Sequence, residues 1–180
     1  MIETKRLILR QFQESDYDDL YEYLSQLEND EFEGYPGITY ENGREHLAYR
    51  LNSDEFYAIE LKASGKVIGN IYCGSREYKA REVGYIINKK YQREGYASEA
   101  LSVVLQEAFR TGVHRIFAKC DPRNECSWKL LEKVGMKREA HFRQNIYFHE
   151  DDNGNPIWKD TYVYALLNCN LTRLLHTLTH

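Results

Sequence analysis

A mixed α/β domain is predicted, and three features of the sequence predict it. Apolar residues switch along the chain between a spacing of about 2 and one of about 3.6. In the middle, an apolar strand runs through a glycine-bearing loop directly into an amphipathic helix. The 180 residues contain no repeat of solenoid length and no Gly/Ser/Pro-rich linker, so one domain over residues 1–167 with a tail at 168–180 is expected.

Each element follows from its local pattern. Thr4 to Arg10 alternates around Leu7-Ile8-Leu9 and suits an opening strand. Ser15-Asp16 then caps a helix to about Gln26, with Leu20, Tyr23, Leu24 and Leu27 at helical spacing. Gly34, Pro36 and Gly37 break the chain before a second helix over 41–51 that carries Leu47 and Leu51 inward. Phe56–Leu61 and Lys66–Tyr72, joined by Ala63-Ser64-Gly65, read as an antiparallel hairpin, and Glu82–Ile87 as a third strand after a charged turn. The helix that follows Gln92–Ala97 lines up Ala100, Leu101, Val104, Leu105, Ala108 and Phe109 and ends near Gly112. His114–Cys120 is a strand. Asn124 opens a helix with Leu130, Leu131 and Val134 inward and Gly135 as its cap, and two last strands flank Asp151–Asn155. A turn with positive φ at Asn153 and Gly154 explains that segment better than a calcium loop, which its spacing does not match.

Composition narrows the function. A net charge of −4, from 24 Lys and Arg against 28 Asp and Glu, argues against nucleic acid as a partner. Charges interrupt every apolar run before a bilayer-spanning length, and Met1 to Arg6 lacks the apolar core of a signal peptide, so no membrane partner and a cytoplasmic location are expected. Cys73, Cys120, Cys126 and Cys169 form no C-x-x-C pair and read as reduced thiols. No metal role is assigned to them or to the scattered histidines.

The chemistry lies in Gln92-Arg93-Glu94-Gly95-Tyr96-Ala97. At a helix start several backbone N–H groups have no intrahelical partner and attract phosphate. Gly95 lets the main chain approach an anion closely, and Ala97 keeps the turn small. No Gly-Lys-Ser/Thr follows and no G-x-G-x-x-G is present, which excludes the common nucleotide loops.

This segment resembles the Q/R-x-x-G-x-G/A signature with which the GNAT N-acetyltransferases bind the pyrophosphate of acetyl-coenzyme A. Asn124-Glu125-Cys126-Ser127 through Leu130 to Met136 is similar to the family's N-x-x-A/S and L-x-x-x-G-F stretch, with Met136 in place of the aromatic. Thr4 to Arg10 and Trp158 to Tyr164 resemble the ends of the subgroup that contains the Rim-type ribosomal-protein acetyltransferases. The resemblance implies the GNAT fold, an α+β arrangement in which about four helices flank a central mixed, mostly antiparallel twisted sheet. It implies acetyl-coenzyme A as co-substrate, transfer to a primary amine, and direct attack without an acyl-enzyme.

From the resemblance, the coenzyme arm lies along Ile86, Ile87 and Asn88, its pyrophosphate on Gln92, Arg93, Glu94, Gly95, Tyr96 and Ala97, and its amides on Asn124. Many family members carry a tyrosine general acid where this chain has Leu131, so Ser127 becomes the candidate proton donor, with a plain capping serine as the alternative. Glu82 is the candidate base through a water, against a solvated strand-end charge. Tyr85 is a candidate for the acceptor channel. The acidic run Glu28 to Glu33, in the region where the family shapes its acceptor site, favours a cationic amine or a basic peptide end, against a plain solvated loop. A protein N-terminus is the leading acceptor, with a small amine or a non-catalytic acyl-coenzyme A-binding module as alternatives. A homodimer is possible, and Leu171, Leu174, Leu175 and Leu178 are spaced for an amphipathic helix.

Overall fold

The structure, a computed structural model, describes residues 1–28, 30–35 and 37–168. Its strands are β1 (Ile2–Glu3), β2 (Leu7–Arg10), β3 (Phe56–Leu61), β4 (Val67–Arg76), β5 (Ala80–Ile87), β6 (Arg115–Cys120), β7 (Lys137–Glu150) and β8 (Pro156–Leu167). They form one sheet in the order β1-β2-β3-β4-β5-β6-β8-β7. All neighbours are antiparallel except β5 and β6. Helices α1 (Tyr17–Leu24), α2 (Gly43–Leu51), α3 (Tyr96–Arg110) and α4 (Glu125–Lys133) complete it.

Two apolar clusters form the core. The predicted stripe of α3 is buried in full and packs with Leu7, Leu9, Ile59, Ile68 and Ile71 of the sheet. Leu20, Tyr23 and Leu24 of α1 and Leu47 of α2 pack with Phe56, Ala58 and Val67 in the second cluster. Each large apolar side chain so buried contributes roughly 1.5–3 kcal/mol. No helix among the described residues is long and apolar enough to cross a membrane.

Local departures from the sequence reading have identifiable causes. The opening strand is split, because the Leu7 N–H donates to Thr4 Oγ1 and the Thr4 N–H to the Leu7 carbonyl, both at 2.9 Å. The first helix is flanked by 3₁₀ turns at Glu14–Asp16 and Ser25–Leu27. Arg50 joins Leu47 on the fully buried side of α2, with Leu51 partly buried against the same cluster as Leu47. In the last turn Gly154 alone has positive φ, at 79°. Asn153 avoids it because the Asp151 carboxylate accepts the N–H groups of Asn153 and Asn155 at 2.9 and 2.8 Å. Cys169 and the predicted helix with Leu171 to Leu178 lie outside the described residues.

The parallel joint positions the site. β5 pairs with β6 only over Ala80–Glu82 and Arg115–Phe117, whereas its other edge pairs with β4 as far as Ile87. The Asn88 N–H then donates to the Ile68 carbonyl of β4 at 2.8 Å. Backbone directions alternate along a strand, so Val83, Tyr85 and Ile87 turn their N–H and C=O groups away from β4, into the wedge where β6 has diverged.

Candidate active site

The wedge opens into a cleft of about 900 Å³. One wall is β5 from Val83 to Ile87, another the start of α3 and the inner side of α4, and a third the segment bearing Asp30, Phe32, Glu33 and Tyr35.

At one end the chain is shaped for an anion. The Asn88 Oδ1 accepts the Lys90 N–H at 3.1 Å, starting a 3₁₀ turn at Lys89–Tyr91, and Gln92 Nε2 donates to the Ile87 carbonyl at 3.0 Å. Arg93 and Gly95, with φ of 66° and 82°, bend the main chain into α3. At Gly95 only a residue without Cβ takes this conformation at no steric cost. The first helical bond runs from the Glu99 N–H to the Gly95 carbonyl at 3.1 Å, so the N–H groups of Tyr96, Ala97 and Ser98 have no acceptor within the helix. Lys89 and Arg93, from the turn itself, and Lys129 and Lys133, from α4, also line the cleft. Unpaired donors at a helix start, neighbouring cations and an open strand edge fit a diphosphate carrying an amide-containing arm.

A brace that sequence reasoning missed holds this turn from behind. Arg6 Nη1 donates to the Glu94 carbonyl at 3.0 Å, Arg6 Nε to Glu99 at 2.7 Å, and the Thr4 hydroxyl to Glu99 at 2.6 Å. The guanidinium also lies 4.3 Å from the centre of the Tyr96 ring. Thr4 and Arg6 thus tie the opening of the chain to the first turn of α3.

At the other end Tyr85 reaches across from β5 to α4. Its hydroxyl lies 2.8 Å from Ser127 Oγ and donates to the Ser127 carbonyl at 3.0 Å. Burial holds the phenol well above the usual tyrosine range, so it keeps its proton at neutral pH. Leu131 is fully buried in the core. Glu33 is half-buried beside Asp30, and burial first and that neighbour second push its carboxyl up to about 7. Glu33 is close enough to Tyr85 for its charge to act on the phenol. The cleft therefore carries cations on the turn and on α4 and carboxylates on the segment with Asp30 and Glu33.

The cleft walls include Ile86, Ile87, Gln92, Arg93, Gly95, Tyr96, Ala97, Asn124 and Ser127 of the predicted residues. Ile86 sits opposite Asn70 in the β4 pairing, which turns its backbone away from the wedge. Asn124 caps α4, its Oδ1 accepting the Ser127 N–H at 3.1 Å. Three predicted residues are not on the walls. Asn88 is fully buried and bonded to Gln26, Lys90 and Ile68. Glu94 is exposed and turns its carbonyl to Arg6. Glu82 sits where β5 and β6 part, its carboxylate taken by Arg76 at 2.7 Å and Lys119 at 3.3 Å. Burial pushes the Cys120 thiol up to about 11, which keeps it from being a thiolate nucleophile. Cys126 is exposed and accepts from Arg93 Nη1 at 2.9 Å. Among the described residues, no group of three metal-ligating side chains occurs.

The segment bearing Glu33 is held down by the β7–β8 hairpin and by Arg123, just before α4. Lys159 Nζ donates to the Glu31 carbonyl, Arg123 pairs with the Glu31 carboxylate at 3.5 Å, and the Phe148 ring lies against Gly34, where an added Cβ would come within 2.6 Å of it.

A family model described as an acetyltransferase (GNAT) domain matches residues 6–137. The uncharacterised N-acetyltransferase YnaD of Bacillus subtilis is 34% identical over 174 residues, covering 92% of this chain and 96% of that protein. A crystal structure of a GNAT-family acetyltransferase from Bacillus anthracis superposes with a TM-score of 0.83 at 31% identity, covering 93% of this chain and 98% of the other. A ribosomal L7/L12 α-N-protein acetyltransferase in complex with coenzyme A shares the fold, with a TM-score of 0.78 at 21% identity over 91% of this chain and 95% of that one.

Proposed function

This chain belongs to the GNAT family of acetyltransferases, and on that premise we propose that it moves the acetyl group of acetyl-coenzyme A to the primary amine of a protein N-terminus. The co-substrate, when bound, supplies an activated acetyl thioester. The N–H groups of Tyr96 to Ser98 and the surrounding cations would hold its diphosphate, and the Val83, Tyr85 and Ile87 backbone would take its arm as an added strand. Ile87 offers its N–H, since Gln92 already occupies its carbonyl.

The proton traffic falls to groups at the other end. Glu33, with a carboxyl that titrates near 7, takes a proton from the incoming ammonium and leaves a nucleophilic amine. Tyr85, kept protonated by burial and hydrogen-bonded to Ser127, donates to the departing sulfur. Glu82 has a lesser claim as base, being ion-paired outside the cleft walls. The observation that carries this reading is a single cleft with unpaired helix-start donors at one end and Glu33 facing the Tyr85–Ser127 pair at the other.

One observation favours a second reading. The Lys159, Arg123 and Phe148 contacts fix the segment that carries Glu33 in place, and a fixed acceptor wall suits a small amine better than a folded protein surface. Coenzyme A release over a panel of N-terminal peptides and small amines, with calorimetry of acetyl-coenzyme A binding, separates the two. Turnover of peptides at least tenfold above any small amine (about 1.4 kcal/mol in selectivity) supports the first reading. The reverse order supports the second, and no binding of acetyl-coenzyme A defeats both.

A further inference from the structure

A second cavity, of about 350 Å³, adjoins the acceptor end of the cleft and shares Tyr35, Tyr49 and Phe56 with it. Its remaining walls are Glu45, His46 and Arg50. Arg50 is 2% exposed, and among the described residues no carboxylate lies within 4.0 Å of it. Its Nη1 donates to the His46 carbonyl at 3.0 Å and its Nη2 to the Tyr35 hydroxyl at 3.4 Å, while its buried Nε finds no acceptor. Stacking on Phe56 at 4.8 Å offsets part of the burial cost. It does not neutralise the charge, and a buried guanidinium is ordinarily matched by an anion.

We propose that Arg50 binds a carboxylate carried by the acceptor, so that the amine acetylated by this enzyme belongs to a molecule with a negative group near its ammonium. This rests on the acetyl-transfer reading and assigns the acceptor class to that same site. Guanidinium pairs with carboxylate through parallel N–H donors, and Arg50 Nε, covered in this structure and without an acceptor, would need only a rotation of the side chain toward the cavity to complete such a pair. The cleft then matches a zwitterion, with Asp30 and Glu33 at the ammonium and Arg50 at the carboxylate. Exposed Glu45 is the one carboxylate on the cavity wall, standing outside ion-pair distance, where water screens it. Burial first, and the Arg50 charge second, push the His46 imidazole down, which leaves Arg50 as the cation of the cavity. A free amino acid presents this chemistry through its α-carboxylate, and a peptide through an acidic side chain near its N-terminus.

The test measures coenzyme A release by the full chain with matched acceptors: free amino acids against their carboxamides, and peptides with Glu against Gln at the second or third position. A carboxylate preference of at least roughly 30-fold in kcat/KM is expected, as for a buried charge partner. It should appear in the amino-acid arm if the source is the α-carboxylate, and in the peptide arm if it is a side chain. Arg50→Gln should bring kcat/KM for the acids down to that for the matching carboxamides, with the KM for acetyl-coenzyme A unchanged. If that variant fails to fold, the matched pairs on the unaltered protein still decide. Equal turnover of acids and amides, or turnover only of acceptors without a carboxylate, overturns the inference and leaves acetyl transfer standing. Acetyl-coenzyme A binding without turnover of any carboxylated acceptor also overturns it, whereas no binding of acetyl-coenzyme A at all overturns both.

Discussion

In the proposed reaction, Glu33 and Tyr85 owe their roles to where the fold puts them. With Glu33 as base, kcat/KM should climb tenfold per pH unit below about 7 and level off above it. Glu33→Gln should lower kcat/KM by about 10² to 10⁴ while calorimetry finds acetyl-coenzyme A affinity unchanged. The same shift fixes a sign for stability. A carboxyl raised from 4.5 to about 7 binds more proton folded than unfolded between those values, so stability falls as pH rises through that window and is constant above it. Thermal denaturation should therefore find Glu33→Gln more stable than the parent at about pH 8 and equal to it at about pH 4. Tyr85→Phe should reduce kcat by about 10² with little change in either KM, and Ser127→Ala by less, since it orients the phenol. The sequence pointed to this neighbourhood only in part. The acidic run was visible as charge, but the partial burial that distinguishes Glu33 depends on a hairpin more than a hundred residues further along. Ser127 on α4 was the candidate proton donor legible in the sequence, and the Tyr85 phenol, 2.8 Å from it on the opposite wall, is the donor in the proposed reaction.

The loop from Gln92 to Ala97 was legible because its glycine, its position between strand and helix and the stripe of α3 all point the same way. Its brace was not. Thr4 and Arg6 read as strand residues by alternation, and only the fold brings Glu99 to them and turns them into a clamp. The reach of β5 along β4 and its early parting from β6 likewise depend on pairing that no single segment encodes. Gly95→Ala keeps the loop's length but asks an L-residue to hold a φ of 82°. It should cost about 1–2 kcal/mol in stability and weaken acetyl-coenzyme A binding roughly tenfold, a change of about 1.4 kcal/mol. Denaturant titration and calorimetry measure the two separately. An unchanged affinity would mean that the donors at the start of α3 do not hold the coenzyme.

Across the whole molecule, the acceptor end is assembled from distant parts, with Phe148 and Lys159 of the last hairpin holding the segment that carries Glu33. Phe148→Ala should speed amide hydrogen exchange at residues 30–35 and raise KM for the acceptor, leaving KM for acetyl-coenzyme A unchanged. The two ends of the cleft would then respond as separate modules sharing one sheet. That sheet also has a fault line, for β5 and β6 touch over three residue pairs and then part. Between turnovers, the inward edge of β5 offers backbone groups to whatever extended chain comes near, including a misfolded copy of the same protein. Depletion of the thioester donor should thus shorten the enzyme's working life, with light scattering rising on storage and falling again when coenzyme is restored to the buffer.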